Sequence, residues 1–118
     1  MKYVILIYSN PESRKMWESF SADEQAAGLA YYQSLTDDLA GSGELVASER
    51  LADPDQTIRL PAREGAPISS DGSFAEVKEV LAGFYLVDCG SPERALEIAR
   101  RVPESELGLV EVRPIHAM

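Results

Sequence analysis

Two segments of the chain are apolar at nearly every position and short enough to be strands. Tyr3-Val4-Ile5-Leu6-Ile7-Tyr8 runs into the turn residues Ser9-Asn10-Pro11, and Val80–Asp88 ends at Cys89-Gly90. A strand apolar on both sides belongs in the middle of a sheet, because both of its faces must be covered. Gly83, inside the second run, permits a bulge or the close approach of a neighbouring backbone. In two other places the apolar pattern takes a helical period instead. Ser21-Ala22-Asp23-Glu24 has the form of a capping box, and Ala26, Leu29, Tyr32, Leu35 or Thr36, and Leu39 then share one face up to a stop at Gly41-Ser42-Gly43. Ser91-Pro92-Glu93 supplies an N-cap, a proline at the first helical position and an acid in the first turn. Ala95, Leu96, Ile98, Ala99 and Val102 follow as the buried face, and Pro103 ends the helix.

Weaker signals fill the intervals. Leu45–Arg50 and Gln56–Leu60 are strand candidates separated by the turn Asp53-Pro54-Asp55, and Leu109–Arg113 alternates as a strand with one wet face does. Arg63-Glu64-Gly65, between Pro61 and Pro67, reads as a hairpin tip that returns through Ile68-Ser69-Ser70. Arg14–Phe20, with Met16, Trp17 and Phe20, suits a short helical turn or a loop tucking its aromatics against the core, and is assigned to a loop. The order strand, helix, strand, inserted hairpin, strand, helix, strand predicts an α+β fold, a ferredoxin-like βαββαβ sandwich with an inserted β-hairpin and the two most apolar strands adjacent at its centre. Both helices then lie on one face. The other face needs a cover, and a second copy of the chain is the simplest one, giving a homodimer of the dimeric α/β-barrel type.

Composition narrows the partners. At 118 residues the chain is expected to form a single domain over 1–118, and 20 acidic against 11 basic residues give a net charge of −9. Such a charge repels phosphate backbones and anionic lipid, so neither nucleic acid nor membrane is expected as a partner. The densest cationic pair, Arg100-Arg101, sits where a helix C-terminus favours positive charge. A lone Cys89 cannot make an intramolecular disulfide, and the first apolar run is too short for a signal segment or a membrane span, which points to the cytoplasm. No metal-ligand spacing, phosphate-binding glycine loop or nucleophile elbow is present, so no cofactor and no metal are expected.

Chemistry concentrates in Asp71-Gly72-Ser73-Phe74-Ala75-Glu76-Val77-Lys78-Glu79, which gathers three carboxylates, a lysine and a turn just ahead of a central strand. Asp71 and Glu76 are the candidate acid–base residues, and Lys78 can neutralise an anionic substrate. Alternatively Asp71-Gly72 makes a turn, Phe74 plugs the core and the charges form a solvated face. Arg59 and Arg113, on alternating strands, are candidates to grip a carboxylate bidentately, with surface ion pairing as the alternative. Tyr85 and Tyr8 offer hydroxyls to a pocket, although rings on apolar strands commonly fill the core. His116 is a candidate base, against the ordinary inactivity of a terminal side chain.

The same stretch resembles the signature of the DGPF-type YCII-related family, with Ser73 in place of the usual proline. The similarity extends through Met1-Lys2-Tyr3, Gly83-Phe84-Tyr85-Leu86-Val87 and Val110-Glu111-Val112-Arg113-Pro114-Ile115, in order and spacing. It implies a ferredoxin-like fold, dimerisation through the sheet face and a cleft at the signature loop. It also implies a genetic link to extracytoplasmic-function sigma factors, and therefore a possible sigma-factor partner. The wider group carries a proposed His–Asp pair and includes a dehydrochlorinase, but no histidine here matches that pair. The sequence thus supports a dimeric domain that binds a small polar or anionic ligand near Asp71. A lyase- or isomerase-like enzyme using Asp71 or Glu76, and a regulatory partner of a sigma factor, are the alternatives.

Overall fold

The structure is a computed structural model that describes residues 1–61, 65, 68, 69 and 79–117. In chain order its elements are β1 (Lys2–Ser9), α1 (Pro11–Ser19), α2 (Ala22–Ser42), β2 (Leu45–Arg50), β3 (Ile58–Arg59), β4 (Ile68–Ser69), β5 (Val80–Asp88), α3 (Pro92–Arg100) and β6 (Val110–Pro114). Short 3-10 segments lie at Pro54–Gln56 and Pro103–Leu107.

The two continuously apolar strands are neighbours, as their pattern requires, in a four-stranded antiparallel sheet ordered β2-β5-β1-β6. This order, with helices in the two crossovers, is consistent with a ferredoxin-like α+β fold. The inserted excursion is a separate two-stranded sheet that pairs Ile58 with Ser69 and Arg59 with Ile68.

Strand alternation divides the side chains between two faces. Tyr3, Ile5 and Ile7 of β1 and Tyr85 and Val87 of β5 are buried on one face, in a single core with Leu35 and Leu39 of α2 and Ala95, Ile98 and Ala99 of α3. Both long crossover helices therefore cover the same side. Val4, Leu6 and Tyr8 of β1, with Phe84 and Leu86 of β5, alternate onto the opposite side and are only half-buried.

Gly83 makes both of the accommodations its position allows. The β1–β5 register slips between Ile7, opposite Gly83, and Tyr8, opposite Leu81, so that Ala82 is the extra residue of a bulge. A side-chain carbon at Gly83 would lie 2.8 Å from the Glu49 carbonyl oxygen, so β2 approaches where only glycine fits.

The helix boundaries follow their caps. Ser21 and Glu24 form the expected capping box, with Glu24 N donating to Ser21 Oγ at 3.1 Å and Ser21 N donating to Glu24 Oε1 at 2.9 Å. α2 stops at Gly43, whose φ of 80° is left-handed. Ser91 caps α3, accepting from Arg94 N at 3.1 Å.

Three sequence-based expectations are corrected. Much of Arg14–Phe20 belongs to the helix α1, capped by Asn10, which accepts from Ser13 N at 2.7 Å while Ser13 Oγ accepts from Asn10 N at 3.0 Å. The face of α2 is also rotated at its start. Ala26 and Leu29 are exposed, Leu29 by 47%, and Gly28 instead lies against the Trp17 ring of α1. Leu96 of α3, expected in the core, is 44% exposed.

Candidate functional site

Of the residues singled out by sequence, Asp71, Glu76 and Lys78 lie outside the described residues, as does Phe74. The others occupy different places. Arg113 pairs with Val4 across β6 and β1, which puts it on the helix-free face. Tyr85 pairs with Ile5 on the helix-covered face and is 4% exposed. Arg59 belongs to the separate β3–β4 sheet. His116 is exposed beyond β6.

On the helix-free face the pairing assembles a polar group that no local motif announces. Glu111 lies opposite Leu6, Arg113 opposite Val4, and Tyr8 follows on β1. Glu111, as a hydrogen-bond acceptor, raises the Tyr8 pKa, with burial and then the charges of Glu111 and Glu79 adding to it while Arg113 opposes. The phenol is thereby kept protonated, as a donor. A guanidinium, a phenol donor and two carboxylates together suit a ligand with its own carboxylate and polar substituents. Beside them the face is apolar. Leu86 lies between Val4 and Ala47, and Phe84 between Leu6 and Glu49, so the sheet carries an apolar centre with charges at both edges.

A second polar group sits on the helix side, where sequence reasoning singled out Tyr85 alone. Its hydroxyl lies 3.0 Å from Thr36 Oγ1, which also donates to the Tyr32 carbonyl at 2.9 Å. Tyr32 in turn contacts both carboxylate oxygens of Glu104, 72 residues away. Burial raises the pKa of Glu104, countered by the hydrogen bond from Tyr32, by its own backbone and by the charge of Arg50. Burial likewise raises Tyr32 and Tyr85. Only the helical position of Tyr32 was readable beforehand, since nothing around Pro103-Glu104 marks a half-buried carboxyl.

An apolar hollow of about 360 Å³ lies between α3 and strand β6, lined by Met1, Tyr3, Pro92, Leu96, Val112 and Pro114. It contains none of the predicted residues. Among the described residues no group of three or more His, Cys, Asp or Glu side chains could hold a metal ion. Nor is any described helix long and apolar enough to cross a membrane.

A family model for the YCII-related domain matches residues 1–118. A protein of Rhizobium meliloti (strain 1021), described as uncharacterised, is 32% identical over 117 residues, covering 98% of this chain and 92% of its own length. The match spans the sheet, the helices and both polar groups, and the chain belongs to the YCII-related domain family.

Proposed function

We propose that the protein is a homodimer, closed through the helix-free face of its sheet, that binds a small polar or anionic ligand in a cleft beside the Asp71 segment. One observation carries this reading. Glu79, the last residue of the charged segment, acts electrostatically on Tyr8 together with Glu111 and Arg113. Asp71, Glu76 and Lys78 shortly precede Glu79 in the sequence, which supports assigning them to the same site as that polar group. Arg113 supplies a bidentate site for a carboxylate, and Tyr8 a neighbouring donor.

The dimer has separate support. The half-buried row Val4, Leu6, Phe84 and Leu86, edged by Glu49, Glu111 and Arg113, has the apolar centre and charged rim of an association surface.

The test is a thermal-shift screen of small carboxylates on the wild type and on Asp71→Ala, Glu76→Ala and Arg113→Ala. A ligand is expected to raise the melting temperature of the wild type, with Arg113→Ala weakening its binding about ten- to a hundredfold through loss of a charge-assisted pair. Equal stabilisation of all four proteins, or none by any carboxylate, contradicts the proposal. A lyase- or isomerase-like reaction, with Asp71 or Glu76 moving a proton and Arg113 or Lys78 balancing an anionic intermediate, is the second reading. The gathering of acids and a lysine at Asp71, Glu76 and Lys78 in the sequence favours it. Product formed by the wild type and lost in either acid variant would establish turnover; ligand stabilisation without product would leave binding alone.

A further inference from the structure

We propose that the outer edge of β6 pairs antiparallel with the same edge of a second copy of the chain, centred on Val112, and so joins two sheets side by side at high protein concentration.

The hydrogen bonds of β6 fix which of its backbone groups are left over. Tyr8 N donates to the Leu109 carbonyl at 2.8 Å, and Ile115 N donates to the Lys2 carbonyl at 2.9 Å, at the two ends of an unbroken register with β1. Bonded and non-bonded positions alternate along an antiparallel ladder. Glu111 and Arg113 therefore turn their backbone groups toward β1, while Val110 and Val112 turn theirs outward and Pro114 presents its carbonyl there. β6 ends the sheet, so among the described residues no further strand meets those groups. The opposite edge differs. β2 slips in register between Leu45 and Ala47, and a bulge spoils an edge as a template for pairing. The β6 edge has no such slip, and its proline comes only at the end.

Side chains select the occupant. An antiparallel pair centred on Val112 sets Glu111 of each copy opposite Arg113 of the other, and Val110 opposite Pro114. Both charged side chains are exposed on the helix-free side of β6, and neither makes an ion pair among the described residues. Opposite charges directly across from each other stabilise a strand pair, and like charges destabilise it. The order acid, apolar, base is thus its own complement when the second strand runs backward. The backbone agrees with this register: Val112 exchanges both of its bonds with Val112 of the second copy, and each Val110 N–H meets a Pro114 carbonyl. On the helix side, Val112 and Pro114 border the apolar hollow beside Leu96, which is 44% exposed. Pairing brings the hollows of the two copies together across the axis and withdraws that surface from water.

So short a contact is weak. At micromolar concentration the edge stays open, and pairing joins the units present there only toward millimolar concentration. It uses a different surface from the face-to-face dimer and does not depend on it.

Sedimentation velocity from micromolar to millimolar concentration, with amide exchange measured in parallel, tests the edge. The mass is expected to double from its micromolar value, with protection of the Val112 amide rising over the same range. Arg113→Glu places like charges opposite each other on both sides of Val112 and should weaken association about tenfold, as should Glu111→Arg. Mixed in equal amounts, the two variants restore opposite charges across the axis and should associate with each other as the wild type does with itself. A constant wild-type mass up to millimolar concentration overturns the proposal. So does association that Arg113→Glu leaves unchanged, or association of the wild type without protection at Val112.

Discussion

Glu44 accepts two hydrogen bonds from Arg94, from Nε at 2.9 Å and from Nη2 at 2.8 Å, and ties the start of α3 to the turn between α2 and β2. Arg94 and then the Ser42 hydroxyl hold its carboxyl down at about 2, against a usual 4.5. A depressed folded value contributes stability above pH 4.5 that is lost as pH falls toward 2. Because Arg94 is itself 39% exposed, the pair is worth about 1–2 kcal/mol rather than the full linkage value. Glu44→Gln should lose that amount at pH 7 and flatten the acid limb of a urea-unfolding series, and an unchanged limb would remove the pair as its cause. Glu104 works in the opposite sense. Its folded value is raised above 4.5, so its contribution is complete below pH 4.5 and is lost as pH rises through the raised value. Gly83 marks a steric limit at the same scale. A methyl group there meets the Glu49 carbonyl at 2.8 Å, and Gly83→Ala should cost about 2–3 kcal/mol by forcing β2 away from β5. Wild-type stability in that variant would show that the approach is relieved without cost.

Among the elements, α1 is held by its ends more than by its faces, since none of its residues is buried. Asn10→Ala should weaken it by about 1 kcal/mol, seen as faster amide exchange at Ser13 and Arg14 with the sheet amides unchanged. Unaltered exchange at Ser13 would mean that the cap does not hold the helix. The same element shows where sequence reading stops. Asn10-Pro11-Glu12 repeats the N-cap, proline and acid of Ser91-Pro92-Glu93, but Asn-Pro also suits a turn, and a helix without a buried face leaves no apolar period behind it. The caps at Ser21, Gly43 and Ser91 were legible because a cap is a local agreement between neighbours. The exposed Leu29 was not, because Trp17 packs against Gly28, and a glycine carries no hydrophobic signal.

For the whole molecule, the continuity of two apolar strands sufficed to place them at the centre of the sheet, and strand alternation sorted its faces. The polar groups were harder to read because pairing makes them. Tyr8 meets Glu111 and Arg113 only through the β1–β6 register, and Tyr32 meets Glu104 only through the packing of α2 on the connection that follows α3. The open face governs association. Light scattering should give twice the 12.9 kDa of the chain, with Leu6→Glu yielding a folded monomer, and a wild-type monomer at micromolar concentration would contradict dimerisation. The ligand site is tested most directly by a nitrogen-15 NMR titration of the wild type with the small carboxylate that best stabilises it. The amides of Tyr8, Glu79, Glu111 and Arg113 should shift together and saturably, whereas shifts centred on Tyr32 and Thr36 across the sheet, or none at all, would contradict a ligand cleft on the open face.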